Sequence, residues 1–387
     1  IVYAEYANPA NKRTLLIYGH YDVQPVDPLD LWHKPPFEPH VDGDTIYARG
    51  ATDDKGQFLI HLLAVEAYLK AVGSLPVNIK FVIEGEEETA ADNLEVFIKG
   101  NHDKLKADGV IVSDTAMYGR GVPAITYGLR GVAAAEIKVT GPTKDLHSGS
   151  FGGSVANPIS ELARIIAAFH DDNYRVAIDG FYDDVREVEE WEREMFASLP
   201  FKEAAYLKST GSPATVGEKG YTTLERNWAR PTCEINGIYG GYQGEGGKTI
   251  IPSWAGAKVT MRLVPDQNPE DILDKFERYV RKVASPAVTV EITRQGGARP
   301  AIVSRDSFLV RAGNVALEKG FGRKPVFIRE GGSIPIVNVF KEELGLDTLL
   351  LGFGQHDDNA HSPNEKFSLS DFHRGIITVA HLFAELK

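Results

Sequence analysis

Leu15-Leu16-Ile17-Tyr18-Gly19-His20-Tyr21-Asp22 sets four apolar residues directly ahead of a histidine and an aspartate. A short unbroken apolar run that ends in polar loop is the pattern of a strand buried on both faces, as in parallel sheets covered by helices. The pattern recurs on both sides of a helical period. Thr45–Ala48 precedes the amphipathic run Phe58–Leu69, Val77–Ile83 precedes Leu94–Ile98, and Val110-Ile111-Val112 follows. Short strands alternating with helices predict an α/β layer architecture with a mostly parallel sheet.

Further along, the order changes. A strand over Ala133–Val139 leads through the loop-like Gly141 to Gly153 into a predicted helix at Val155–Phe169. Strands at Cys233–Tyr239 and Ala257–Val264 follow; Asn268-Pro269 then opens a helix to about Val283, and a strand lies near Val288–Thr293. Asn as cap and Pro in the first turn are standard start signals. The sequence β-α-β-β-α-β is that of a ferredoxin-like split βαβ unit. The acidic stretch Asp183–Glu194 reads as an inserted helix with a solvated face. After Arg299 the first pattern resumes, with a helix at Phe308–Lys319, a strand at Val326–Ile328, a Gly-Gly turn before the apolar run Ile334–Phe340, a strand at Thr348–Phe353 and a final helix at Leu369–Leu386. The expected organisation is a discontinuous α/β domain (1–128 and 300–387) interrupted by an α+β domain (129–299).

Composition narrows the function. The 387 residues carry 42 Lys and Arg against 54 Asp and Glu, a formal charge of −12, which excludes a basic nucleic-acid footprint. No apolar run approaches the roughly 18–20 residues of a membrane helix, so neither a nucleic acid nor a membrane is an expected partner. Cys233 is alone, so an internal disulfide is ruled out and a reducing, cytoplasmic setting is expected. The chain opens on the strand-like Ile1-Val2-Tyr3-Ala4-Glu5-Tyr6, and residues before it, with any targeting segment, are expected to be missing.

Five polar clusters follow predicted strands: His20 with Asp22, Asp53-Asp54, Glu86-Glu87-Glu88, Asp114, and His361. Taken singly each has an ordinary reading. Asp53 or Asp54 could cap the next helix, and Glu86–Glu88 could be a solvated helix start. Together they converge, because the crevice of an open α/β sheet lies at the carboxyl ends of its strands. Imidazoles and carboxylates without thiolates form a ligand set for Zn²⁺, Mn²⁺ and related ions. Two histidines and three carboxylates exceed one tetrahedral ion with an open position and suit two ions about 3.5–4 Å apart, bridged by one carboxylate.

The motifs Tyr18-Gly-His20-Tyr-Asp22-Val-Gln-Pro25, Arg49-Gly-Ala-Thr-Asp53-Asp54-Lys55-Gly56, Glu84-Gly-Glu-Glu87-Glu88, Asp145-Leu-His147-Ser-Gly149 and His361-Ser-Pro-Asn-Glu365-Lys366 resemble, in order and over essentially the whole chain, the M20 family of co-catalytic metallopeptidases. Within it they are similar to the branch of cytosolic nonspecific dipeptidases and carnosinases. Two departures are visible: the family's further N-terminal helical stretch is absent, and Glu86 stands where the family has Met. The resemblance implies that Asp53 bridges two ions across a cis Asp53-Asp54 peptide, with His20 and Asp114 on one ion and Glu88 and His361 on the other. It implies that Asp22 orients His20 and that Glu87 is the general base acting on metal-bound water. His356, close to His361, is the rival ligand; the Ser-Pro-Asn-Glu that follows His361 favours the latter.

The resemblance further implies that the inserted domain is a lid and dimerisation module. His147 would reach across a homodimer to the oxyanion, Arg262 and Thr249 would hold the substrate carboxylate, and Glu330 and Ser333 would belong to a Gly-rich substrate loop. Without it, His147 reads as an exposed loop histidine and Arg262 as a strand-surface charge. The expected activity is hydrolysis of dipeptides or short peptides with a free C-terminal carboxylate. An N-acyl amino acid deacylase or desuccinylase is the alternative within the family; a metal-stabilised binding or assembly protein is the alternative outside catalysis. Glu87 speaks against the last, since a closed structural site has no use for a spare carboxylate.

Overall fold

The structure, a computed structural model, describes residues 1–89 and 92–387. In chain order its principal elements are β1 (Val2–Tyr6), β2 (Thr14–His20), α1 (Gly56–Val72), β3 (Asn78–Glu84), β4 (Gly109–Val112), β5 (Ala124–Leu129), β6 (Gly131–Thr140), α2 (Pro158–Ala167), β7 (Thr232–Gly240), β8 (Trp254–Leu263), α3 (Pro269–Val283), β9 (Thr289–Ala298), α4 (Phe308–Phe321), β10 (Thr348–Leu350) and α5 (Leu369–Glu385). They form two compact units: residues 1–127, 302–329 and 336–387, and residues 128–301 with 330–335.

The first unit is a mixed α/β fold around a mostly parallel sheet in the order β1-β3-β2-β4-β10-β5 and onward. β3, β2, β4 and β10 run parallel; β1 and β5 are antiparallel to their neighbours. The apolar runs of β2 and β4 are buried throughout, as strands covered on both faces must be. α1 and α5 pack together and bury Ile60, Ala64, Val379 and Leu382. α1 ends where Gly73 takes a left-handed φ of 78°, the cheap way for a chain to leave a helix.

The second unit carries an antiparallel sheet, β7-β8-β6-β9, with α2 and α3 against it. Its core joins alternate residues of β6 and β8 to Leu162, Ile165, Leu273 and Phe276 of the helices. Asn268 caps α3 through the Glu270 amide, with Pro269 in the first turn.

Two local expectations shift. The helix expected from Val155 starts at Pro158, because the Asn157 side chain accepts from the Ile159 amide and sets the boundary. The acidic stretch is helical only from Glu190, where the Glu189 amide donates to Glu192; Glu192 is buried, and Asp183 and Asp184 turn to Lys275 at 3.5 and 3.8 Å. Glu192 is the exception to the solvated-face expectation: Asp183, Asp184, Glu187, Glu189, Glu190 and Glu194 are exposed. The apolar run after the Gly-Gly turn forms a helix, Ile336–Leu344. The segment 330–335, which the chain order puts with the C-terminal catalytic stretch, lies with the second unit. There the Arg130 amide donates to the Glu330 carbonyl and the Ser333 hydroxyl to the Arg130 carbonyl. No helix among the described residues is long and apolar enough to cross a membrane.

Candidate metal centre

Three neighbouring parallel strands deliver the first side chains. His20 is the last residue of β2, Glu87 and Glu88 stand in the turn after β3, and Asp114 follows β4. Asp53 comes from the segment Ala51–Lys55 ahead of α1, where its φ of −120° and ψ of 94° interrupt the helical path and its peptide bond to Asp54 is cis. His361 comes from the loop between β10 and the strand Lys366–Ser368.

The side chains meet on Asp53. His20 Nε2 lies 3.0 Å from Asp53 Oδ1, and His361 Nε2 lies 2.8 Å from Oδ2 and 3.4 Å from Glu88 Oε1. Two groups result, His20/Asp53/Asp114 and Asp53/Glu88/His361, each with ligand atoms within 4.8 Å of one another. Their donor chemistry fits divalent ions: one imidazole and two carboxylates each, with one carboxylate common to both. His356 joins neither group among the described residues.

Asp22 braces both sides. Its Oδ1 is 3.4 Å from His20 Nδ1, its carbonyl 3.2 Å from the same nitrogen, and its Oδ2 accepts from the Glu88 amide at 3.0 Å. With Nδ1 turned to Asp22, Nε2 is the nitrogen directed at the site. Gln24 donates to Glu88 Oε2 at 2.6 Å.

Crowded carboxylates shape the electrostatics. Burial, then Asp114, raises Glu87 to about 7. Burial, then Asp114, also pushes Asp54 well above the usual carboxyl range; Asp54 is fully buried and its Oδ1 has no hydrogen-bond partner. Burial pulls His20 down, yet the hydrogen bond to Asp53 and the charges of Asp114 and Asp54 prevail and lift it to about 11. Hydrogen bonds to Asp53 and Glu88 lift His361 to about 10. Burial opposes ionisation of Asp53, but His20 and His361 hold it below its ordinary value. Such a concentration of negative charge favours cations, and imidazole ligates only when neutral, so ion binding here must displace protons from the histidines.

The other expected residues lie in the second unit. His147 and Thr249 come together: Leu146–His147 pairs with Ile250–Ile251, and the Ser148 amide donates to the Thr249 carbonyl at 3.0 Å. His147 is exposed, and its Nδ1 accepts from the Gly149 amide at 3.1 Å, which leaves Nε2 as the protonated nitrogen. Arg262 Nη1 donates to the Ser333 hydroxyl at 3.4 Å. Arg130 stands beside them: burial, then the charge of Arg262, lowers it to about 10. Two guanidinium groups repelling each other in a half-buried place attract an anion. Glu330 is joined to this group through its carbonyl.

Gln24, Asp54 and Glu365 also belong to the first site, and Arg130 to the second, although their side chains alone do not announce it. Asp54 adjoins Asp53 in the cluster already noted, and Gln24 and Glu365 each lie four positions after a histidine, His20 and His361, inside the same motifs.

Comparison with known proteins agrees over the whole chain. The model of peptidase family M20/M25/M40 matches residues 16–385. The Cys-Gly metallodipeptidase dug1 of Schizosaccharomyces pombe is 36% identical over 97% of this chain and 80% of its own length. The human Beta-Ala-His dipeptidase is 32% identical over 100% of this chain and 77% of its own. The crystal structure of an M20 family metallo-carboxypeptidase, Sso-CP2 from Sulfolobus solfataricus, superposes with a TM-score of 0.88, at 37% identity over 99% of this chain and 87% of that one. With a family model across nearly its full length and metallodipeptidases among its relatives, the chain belongs to peptidase family M20/M25/M40 and is a metallopeptidase.

Proposed function

We propose that the protein hydrolyses dipeptides and short peptides with a free C-terminal carboxylate, using two divalent ions, zinc or manganese. His20, Asp53 and Asp114 hold one ion, and Asp53, Glu88 and His361 the other. The observation that carries this reading is the shared Asp53, whose two oxygens face the two histidines. When bound, the ions increase the acidity of water and polarise the scissile carbonyl. Glu87 takes the proton of the attacking water and passes it to the leaving amine; burial and the charge of Asp114 raise its carboxyl above the usual range, which suits a group that must both accept and return a proton. Asp22 keeps the His20 ring in register.

The second unit serves as an inserted ferredoxin-like lid and dimerisation module. Arg262, with Ser333 and Thr249, receives the substrate carboxylate, a task suited to a planar guanidinium, and Glu330 helps shape the loop that bears Ser333. The partner subunit's His147 donates from Nε2 to the oxyanion. β7 is an outer strand with Ile238 exposed, an edge that invites pairing, which supports a homodimer.

Hydrolysis of a panel of dipeptides, tripeptides and N-acyl amino acids by ion-free protein, with and without Zn²⁺ or Mn²⁺, tests the reading. Dipeptides should be cleaved only after ions are restored. Cleavage confined to N-acyl amino acids would make the protein a deacylase, and ion binding without any hydrolysis would make the site structural.

A second experiment addresses the dimer. Glu87→Gln chains and His147→Ala chains should each be inactive, whereas a mixture allowed to exchange should recover roughly a quarter of wild-type activity: half the dimers are mixed, and one site in each is free of both lesions. Exchange without recovery would place His147 in its own chain's site or outside catalysis.

A further inference from the structure

Glu365 lies four residues beyond His361 and has no role in the chemistry proposed above, yet its side chain is completely buried and its hydrogen bonds are saturated. Oε2 accepts from Arg49 Nη1 at 2.7 Å and from the Gly50 amide at 2.9 Å. Oε1 accepts from the Thr52 amide at 2.9 Å and the Asp53 amide at 3.1 Å. Four donors fill the acceptor sites of a carboxylate, and three are backbone amides of the segment that presents Asp53. Amides of residues 50, 52 and 53 gather around this one anion while that of Ala51 turns to the Ala48 carbonyl, a path on which Gly50 takes the left-handed region at φ 81°. A Cβ on Gly50 would fall 2.6 Å from Val23 Cγ1 and 2.7 Å from Lys55 Nζ.

The same residue ties the His361 loop down. Its carbonyl accepts from the Ala48 amide at 3.1 Å, and the next three residues pair with Thr45–Tyr47. Within the loop the Ser362 amide donates to the Asn359 carbonyl and the Lys366 amide to that of Asp358, both at 2.9 Å. Asn364 accepts from the His33 amide at 2.8 Å and donates to the Leu31 carbonyl at 2.9 Å. His361 itself sits at φ 61°, a conformation that a side-chain-bearing residue adopts only when its surroundings impose it. Asp53 and His361 are 308 positions apart in sequence, and Glu365 is bonded to the backbone of one while lying on the loop of the other.

We propose that Glu365 is a positioning residue for the two-ion site: its buried carboxylate sets the Asp53 segment against the His361 loop, so that the shared carboxylate and the histidine keep the spacing that ion binding requires. The inference rests on the two-ion reading given above. An amide at this position offers one acceptor oxygen and turns an NH₂ towards two donors, so Glu365→Gln releases either the Arg49 and Gly50 arm or the Thr52 and Asp53 arm.

Calorimetric titration of ion-free protein with Mn²⁺, together with the melting temperature of the ion-free form, tests it. E365Q should bind Mn²⁺ roughly 10- to 100-fold more weakly than wild type, the usual cost of removing a group that orients a metal ligand. R49M is the comparison: it removes one donor from Oε2 and leaves the Thr52 and Asp53 arm in place, so it should lower the melting temperature while retaining near-wild-type affinity. E365Q with wild-type affinity overturns the proposal, as does a loss of affinity that merely follows the loss of melting temperature in both variants. Should E365Q not fold, E365D decides: it keeps the charge on an arm shorter by one methylene, and weakened binding supports the proposal whereas unchanged binding overturns it. Failure of both to fold would assign Glu365 to the fold alone and overturn its role at the ions. Wild-type protein that binds no pair of ions would overturn the two-ion reading along with this one; wild type that binds two, with E365Q equal to it, overturns this one only.

Discussion

Glu87→Gln is expected to bind both ions as wild type does and to turn over substrate about 10²-fold or more slowly, the usual worth of a positioned general base. Glu87 is outside both ligand groups, so the amide removes no ligand, and it preserves the shape of the turn after β3. What it loses is the carboxyl that burial and Asp114 raise to about 7. A base is active when ionised, so the acid limb of the wild-type rate profile rises as pH passes through the pKa of Glu87, and that limb should disappear in the variant. Bound cations favour the ionised form, so in the loaded enzyme the limb should lie below pH 7. Parallel measurement of metal content and initial rates checks the expectation; a variant with two ions and normal turnover would remove Glu87 from the reaction.

Asp53→Ala should abolish activity for a different reason. One carboxylate faces both histidines, so its removal strips a ligand from each group at once. Metal content should drop from two ions to fewer than about one per chain, and the rise in melting temperature that ligand binding confers on the wild type should vanish. The ion-free variant should still fold. Asp53 is one of the charges that raise its neighbour Asp54, and deleting it relieves repulsion in the ion-free state even as His20 loses a hydrogen bond. Elemental analysis after dialysis, with thermal melts with and without Mn²⁺, reads both effects. Two ions held tightly by the variant would show that Asp53 is not the bridge.

The strand runs of β2 and β4 were legible because a strand covered on both faces has to be apolar along its length, and chemistry-bearing residues placed just after such strands must gather at their carboxyl ends. His20, Asp114 and the Glu87-Glu88 pair follow that logic directly. The helix starts were legible where capping is local, as at Asn268 and Pro269. Local chemistry did not determine the helix that starts at Ile336 or the non-helical path through Asp183, because a short apolar or acidic run suits more than one conformation. Nor could spacing reveal that both oxygens of Asp53 face histidines from opposite ends of the chain, that Asp22 supports His20 and Glu88 together, or that Glu365 gathers three amides around one carboxylate. Sequence alone determined most of the elements and which residue types could bear the chemistry, because periodicity and capping act within a few residues. Only the tertiary structure decided which carboxylate is shared and what holds it, because those are relations between segments some 300 residues apart, where hydrogen-bond geometry and burial, rather than neighbouring sequence, select the partner.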